Sequence, residues 1–428
     1  MRRRRTDITI SGLTAVVLLC FSRIVVLAQP FEVDGQAVLE ISMEQAVLMA
    51  LTNNRALSVQ ILIPEIQKTF EDTERAVFDI AIAGEVGFEQ ADTLTNGLSG
   101  NTTRTIGGSV EVIRHFSTGT RLGVSLMTEQ DSNGDKESAA QFGLAITQAL
   151  LQGRPVAVNR AGLRQARLDT DISAYELRGF IEALVADVES AYWECALANL
   201  RMEILQKSLS LAEQQLQAVE QRIKVGGLPE TEMAAARAEI ALRREALINA
   251  RSELSTTRLR LLRLIAPDML RKPRGELRLT TEPVVSETDI GNTDLHVVHA
   301  IRNRPDMNQA RLRIQSGDLE LVKTRNGLLP RMDLFIEWGD TGYAESFGGS
   351  LSELDGKDSC FAAGVTVEFP LHNRADRAVH QRALFSREQM AESLKNMEDL
   401  VRVDVESACI EVERTREQVA ATATTRRF

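Results

Sequence analysis

Cysteine and histidine are scarce in this 428-residue chain: four of the first, five of the second. Cys20, Cys195, Cys360 and Cys409 are too few and too scattered for a disulfide framework. Of the histidines, His115, His372 and His380 stand alone, and His296 and His299 sit three apart with no cysteine nearby, so no metal site is expected. There is no Walker loop, no dinucleotide fingerprint and no nucleophile elbow; Gly226-Gly227 reads as a turn. The sequence therefore points away from an enzyme and calls for no cofactor. Basic stripes with interleaved aromatics are also missing, and the formal charge is -10, which argues against nucleic acid as a partner. Aromatics are only 4%, low for a compact mixed fold and ordinary for long helices.

What is present begins with an export signal. Arg2–Arg5 form a positive region, Ile8–Phe21 a mostly apolar one, and Val26-Leu27-Ala28 a small-residue cleavage site, so residues 1–28 read as a signal peptide. Arg23 stops the apolar run short of the ~20 residues a spanning helix needs. Lipidation at Cys20 is the alternative, weakened by Leu19 before it.

The longest pattern is a seam. Steps of three and four from Ile181 land on Leu184, Val188, Ala191, Cys195, Ala198, Met202, Leu205, Leu209, Ala212, Leu216, Val219 and Ile223, all apolar, with no Gly or Pro between Gly179 and Gly226. Residues 159–224 would make a rod of roughly 100 Å. Val185, Tyr192, Leu200, Ile204 and Leu211 lie beside the seam, so a second face of this helix also wants a neighbour. After a turn at Gly226-Gly227-Leu228-Pro229, a returning helix carries Met233, Ile240, Leu247, Leu254 and Leu261 at seven-residue spacing. Arg237, Arg244, Arg251 and Arg258 recur beside them and read as a solvated or ion-paired face.

Ahead of the long helix, Ser42 and Gln45 form a capping box that starts a helix near Met43, and a second helix from Leu57 is expected to bend at Pro64. From Ile80 to Arg121 the texture is that of short strands, with loops at Asn96-Gly97, Asn101 and Gly107-Gly108. Residues 110–126 read as a hairpin, 131–136 as a loop and 142–146 as a further strand.

The same order then repeats. At an offset of 250, Ser42 meets Asn292, Asn53 meets Asn303 and Arg75 meets Arg325. Strands return at Met332–Trp338 and Phe361–Phe369, and a helix restarts near Arg374. Within it Asp404-Val405-Glu406-Ser407-Ala408 repeats Asp187-Val188-Glu189-Ser190-Ala191. The boundaries are 1–28 signal peptide, 29–78 first-repeat helix, 79–151 strands, 152–265 helical hairpin, 266–291 linker, 292–327 second-repeat helix, 328–371 strands and 372–428 second long helix. Short strand groups need closure, and a barrel shared between copies of the chain supplies it.

These residues resemble the TolC-type outer-membrane efflux proteins. The resemblance covers residues 40–428 and rests on Met43-Glu44-Gln45-Ala46, Asn53-Asn54-Arg55, Phe78-Asp79, Ile146–Gly153, Val158-Asn159-Arg160-Ala161, Arg222–Gly226, Leu328-Leu329-Pro330 and Phe369–Arg374 in that order. It implies a mostly α fold with a membrane β-barrel portion, in which two tandem repeats build a trimeric α-barrel/β-barrel tube. It also implies an outer-membrane exit duct that reaches into the periplasm and passively exports small molecules or proteins. Its partners would be outer-membrane lipid, a periplasmic adaptor (membrane fusion) protein and an inner-membrane transporter. The turn with Lys224, Gly226, Gly227, Leu228 and Pro229 would be the tip where the adaptor docks; Ile181, Leu184, Val188, Leu205, Leu209 and Leu216 would be the packing seam. A periplasmic adaptor or coiled-coil scaffold is the alternative function. The second half has only twenty residues after Ala408. The chain therefore reads as C-terminally truncated, with a naturally short family member as the other possibility.

Overall fold

A computed structural model describes residues 31–33, 36–95, 98–133, 135–271, 277–285 and 289–426. The signal peptide with Cys20 and the Asn96-Gly97 loop lie outside them. Two short strands, β1 (Phe31–Val33) and β2 (Gln36–Ile41), precede helices α1 (Met43–Asn53) and α2 (Arg55–Ala76). Four long strands follow: β3 (Ile80–Thr95), β4 (Leu98–His115), β5 (Thr120–Asn133) and β6 (Asp135–Ala149). A short helix α3 (Val156–Asn159) leads into α4 (Ala161–Lys224) and its return partner α5 (Thr231–Ile265). After a 3-10 turn at Pro267–Arg271 come β7 (Leu277–Leu279), α6 (Thr293–Asn303) and α7 (Pro305–Gly327). Then follow β8 (Arg331–Ala344), α8 (Phe347–Ser352), β9 (Ser359–Glu368) and α9 (Arg374–Thr425). Helix dominates, with a sheet portion. The chain divides into two compact units, Met1–Arg55 with Leu184–Val284 and Ala56–Ala183 with Val285–Phe428.

In the first unit the capping box forms as its sequence requires: Ser42 Oγ accepts from Gln45 N at 3.2 Å and Gln45 Oε1 from Ser42 N at 2.9 Å. Residues 266–291, read as a linker, contain β7, which extends the small sheet by pairing parallel to β2. Alternation of Leu277 and Leu279 around Arg278 is too brief to be read as a strand without its partner. Along α4 from Leu184, the side chains of Leu184, Val188, Ala191, Tyr192, Cys195 and Ala198 are buried; on α5 Ile240, Leu247, Leu254 and Leu261 are buried. The helices run antiparallel, laced by Arg260–Glu194, Arg201–Glu253 and Arg244–Glu213 ion pairs at 2.7, 3.3 and 3.4 Å. These exposed pairs fix register and contribute about 0–1 kcal/mol each. Tyr192 anchors the base: its hydroxyl donates to Ile41 O at 3.2 Å and accepts from Thr281 N at 3.0 Å. Burial pushes the Cys195 thiol above its ordinary range.

In the second unit the long strands make one antiparallel sheet ordered β3-β4-β5-β6-β8-β9. Here the strands outrun their expected limits. β4 passes through Asn101 and Gly107-Gly108, because Gly107 and Gly108 stay in register with Gly87 and Val86 and the ladder never opens. β5 and β6 likewise pair down to Asn133 and Asp135, so strand pairing takes up 131–133 and 135–136 of the expected loop. Pro64 lies inside α2, which continues through it, and the helix break falls earlier, at Asn54. α9 packs against α7 and α6, and Val297, Met307 and Val401 are buried.

The duplication is unequal. α1 and α2 match α6 and α7 at an offset of 250, whereas Asn159-Arg160-Ala161 matches Asn373-Arg374-Ala375 at 214. The second half is therefore 36 residues shorter in between, the length of one hairpin such as β4–β5. Four strands in the first half face two in the second.

Candidate channel wall

Strand residues alternate between the faces of a sheet, and directly opposite residues share a face. The register therefore sorts all six strands. On one face stand Ile82, Val86 and Phe88 of β3, Ile106, Val110 and Val112 of β4, and Leu122, Val124 and Leu126 of β5. The row continues with Phe142, Leu144 and Ile146 of β6, Leu334, Ile336 and Trp338 of β8, and Phe361, Val365 and Val367 of β9. Phe142 and Trp338 meet edge to face at 5.9 Å. Much of this apolar face is open: Val86 is 86%, Ile82 72% and Phe361 70% exposed. Among the described residues it is covered near the β8–β9 connection, where α8 lies over Ala140 and Gly342; a Cβ at Gly342 would sit 2.2 Å from Ser350 O.

The other face carries Glu85, Glu89, Glu111, Glu129, Asp131, Glu137, Asp333, Glu337 and Glu368, against Arg121, Arg331 and His115. Arg331 is itself paired to Asp333 at 2.8 Å. One face is greasy and the reverse is acidic. A soluble sandwich buries its apolar face; here, among the described residues, α8 covers one corner and the rest stays open, and β3 and β9 are open edges.

At the helical end of the sheet a polar knot holds the strands to the helices. Asn159 Nδ2 donates to Ser117 O (2.9 Å) and Gly153 O (2.7 Å), and Asn326 Oδ1 accepts from Gly153 N at 2.8 Å. Gly119, at φ +77°, turns β4 into β5 so close to Gly153 that a Cβ would lie 2.4 Å from its carbonyl oxygen. In the second half Asn373 plays a related part, donating to Leu328 O at 3.4 Å. The sequence pattern marks Val158–Ala161 and Phe369–Arg374 as points of resemblance but does not show this role of Asn159 and Asn373. The recurrence of Asn-Arg-Ala before each long helix was the available signal.

The turn after α4 is a Schellman motif: Gly227 N donates to Arg222 O at 2.8 Å, Gly226 N to Ile223 O at 2.9 Å, and Gly226 takes φ +77°. Lys224, Gly226, Gly227 and Pro229 are exposed and Leu228 half-buried. Of the seam residues, Leu184 and Val188 are buried, while Ile181, Leu205, Leu209 and Leu216 are half-buried. His296 and His299 on α6 engage Ile290 O and Asn303 Nδ2, and the described residues hold no cluster of metal-binding side chains. No single helix among the described residues is long and apolar enough to cross a membrane.

Residues 116–266 match the family model described as outer membrane efflux protein. The chain carries an outer membrane efflux protein domain. That domain takes in the Gly119 turn, β5, β6, the α4–α5 hairpin and its tip. Solved structures share the fold over most of the chain. The outer-membrane channel OprN superposes with a TM-score of 0.66 at 16% identity, over 89% of this chain and 76% of that one. A membrane protein from Pseudomonas aeruginosa gives 0.64 at 19% identity, over 89% and 78%. The Neisseria gonorrhoeae MtrE outer membrane channel, in its open state, gives 0.61 at 17% identity, over 90% and 75%. No curated protein sequence matches the chain.

Proposed function

We propose that the chain is one copy of a trimeric outer-membrane exit duct. It serves efflux or secretion passively, together with a periplasmic adaptor and an inner-membrane transporter. The observation that carries this reading is the two-faced sheet with open edges. A strand needs about 9–11 residues to cross a bilayer, and these run from 10 residues in β9 to 18 in β4. The apolar face suits lipid and the acidic face a water-filled lumen. β3 and β9 run in opposite directions, so β9 of one copy can meet β3 of the next antiparallel, and a ring closes without a free edge. Three copies of six strands make eighteen, an even number, in the range that leaves an aqueous channel. The seam residues of α4 pack the staves, and the exposed Schellman turn at Lys224–Pro229 is the docking tip for the adaptor.

The test is reconstitution. Purified in detergent, the protein is expected at the mass of three copies and to give stepwise conductance in planar bilayers. A detergent-independent monomer without conductance overturns the duct and favours the periplasmic scaffold.

A further inference from the structure

Where the sheet meets the helices, the second unit has a cavity of about 550 Å³. It is lined by Arg75 in the last turn of α2 and Phe78 beyond it, by Arg114 and the Phe116 turn, and by Arg160, Arg164 and Arg167. No carboxylate lines it. Arg167 reaches Glu71 at 3.6 Å and Arg75 pairs with Asp72, both on α2. Among the described residues Arg114, Arg160 and Arg164 form no ion pair, and Arg114 lies 4.9 Å above the Phe116 ring. Arg160, just before α4, and Arg164 and Arg167 on it are four and three residues apart, which stacks them on one side and makes them repel one another. Such an arrangement is unfavourable until an anion is placed among the guanidinium groups. Arginine forks fit phosphate oxygens two at a time.

Position selects the source of that phosphate. Arg114 stands opposite Ile80 and Leu122, so it closes the apolar row of the sheet on its helical side. If that row faces lipid, as in the duct proposed above, the cavity opens at headgroup depth. Phe78, Phe116 and Leu163 give it an apolar wall beside the charges. Basic pockets at this depth hold anionic headgroups, and aromatic rings belong at the same level. We propose that this cavity binds the phosphate of an anionic phospholipid from the bilayer leaflet nearest the helices.

The experiment is native mass spectrometry of the full chain from mixed micelles, with phosphatidylglycerol, phosphatidylcholine and inorganic phosphate as probes. Phosphatidylglycerol is expected to be retained in preference to phosphatidylcholine, and millimolar phosphate should not displace it. The Arg114→Gln/Arg164→Gln variant should weaken retention roughly thirtyfold, from the loss of two cations beside an anionic surface. Arg114→Lys/Arg164→Lys, which keeps the charge, should recover most of it. Equal retention of both lipids by the unaltered protein overturns the site whether or not the variants fold. So does retention that survives the glutamine changes in a variant of unchanged circular dichroism. Displacement by inorganic phosphate at the lipid's own concentration overturns the lipid as ligand. Bilayer conductance of the same preparation separates the two readings. Conductance without lipid selectivity removes only the headgroup site, and lipid selectivity without conductance removes only the duct.

Discussion

At the scale of single residues, two glycines share a backbone angle but differ in their surroundings. Gly119 and Gly226 both sit at φ +77°, yet a Cβ at Gly119 would strike Gly153 O at 2.4 Å while nothing lies within 4 Å of Gly226. A left-handed conformation alone costs a non-glycine residue about 1–3 kcal/mol. Gly226→Ala should therefore lower stability near the bottom of that range. Gly119→Ala should exceed it, because the β4–β5 turn must also move off the Gly153 loop. Thermal unfolding in detergent ranks the two, and equal melting temperatures would show the 2.4 Å approach to be harmless. Tyr192 is a second such point. Tyr192→Phe leaves the buried Ile41 carbonyl and the Thr281 amide without their shared hydroxyl, a loss of about 1–3 kcal/mol; an unchanged unfolding midpoint would contradict it. Neither role is legible in sequence. Gly119 reads as any turn glycine and Tyr192 as a residue beside the seam, because the partners, Gly153 and Ile41, are distant in the chain.

Among elements, the α4–α5 hairpin separates what folds the chain from what assembles it. The seven-residue periods mark the apolar rows plainly, since a helix repeats its face at that interval. Periodicity cannot say whether a row is covered by the same chain or by another copy. The structure divides them: Leu247 is 4% exposed, whereas Ile204 and Leu211 stand 64% and 63% exposed on the flank of α4. Leu247→Asp buries an unpaired charge and should cost several kcal/mol, enough to melt the hairpin. Ile204→Asp should leave helicity intact and abolish the trimer proposed above. Circular dichroism with light scattering distinguishes them, and a fully trimeric Ile204→Asp protein would remove this flank from the interface. The strands were less legible. Val110–Ile113 and Leu122–Leu126 announce themselves by β-branched alternation, but the early part of β3 is mixed with Ala, Gly and Glu. The length of the ladder depends on pairing rather than on propensity.

For the molecule as a whole, the tandem repeat was visible in matched positions, but not the four-to-two division of strands, since the extra hairpin interrupts the offset it would be recognised by. That division has an electrical consequence. Each additional strand adds a row to the acidic face, and in a closed ring those rows line one lumen. Glu111 on β4, Glu129 on β5 and Glu337 on β8 face the same side as Glu85 and Glu89 on β3, multiplied by three in a trimer. Low-dielectric walls focus such a field and raise the local concentration of cations. Under a potassium chloride gradient the reversal potential should move toward the potassium equilibrium value. Glu111→Gln with Glu337→Gln, six charges fewer in a trimer, should reduce that displacement without closing the pore. Screening supplies the internal control: the Debye length shrinks from about 10 Å at 0.1 M salt to about 3 Å at 1 M, so selectivity should fade over that range in the unaltered protein and less in the variant. An anion-selective pore would mean that the acidic face is turned away from the conducting path, and that the two faces of the sheet have been assigned the wrong way round.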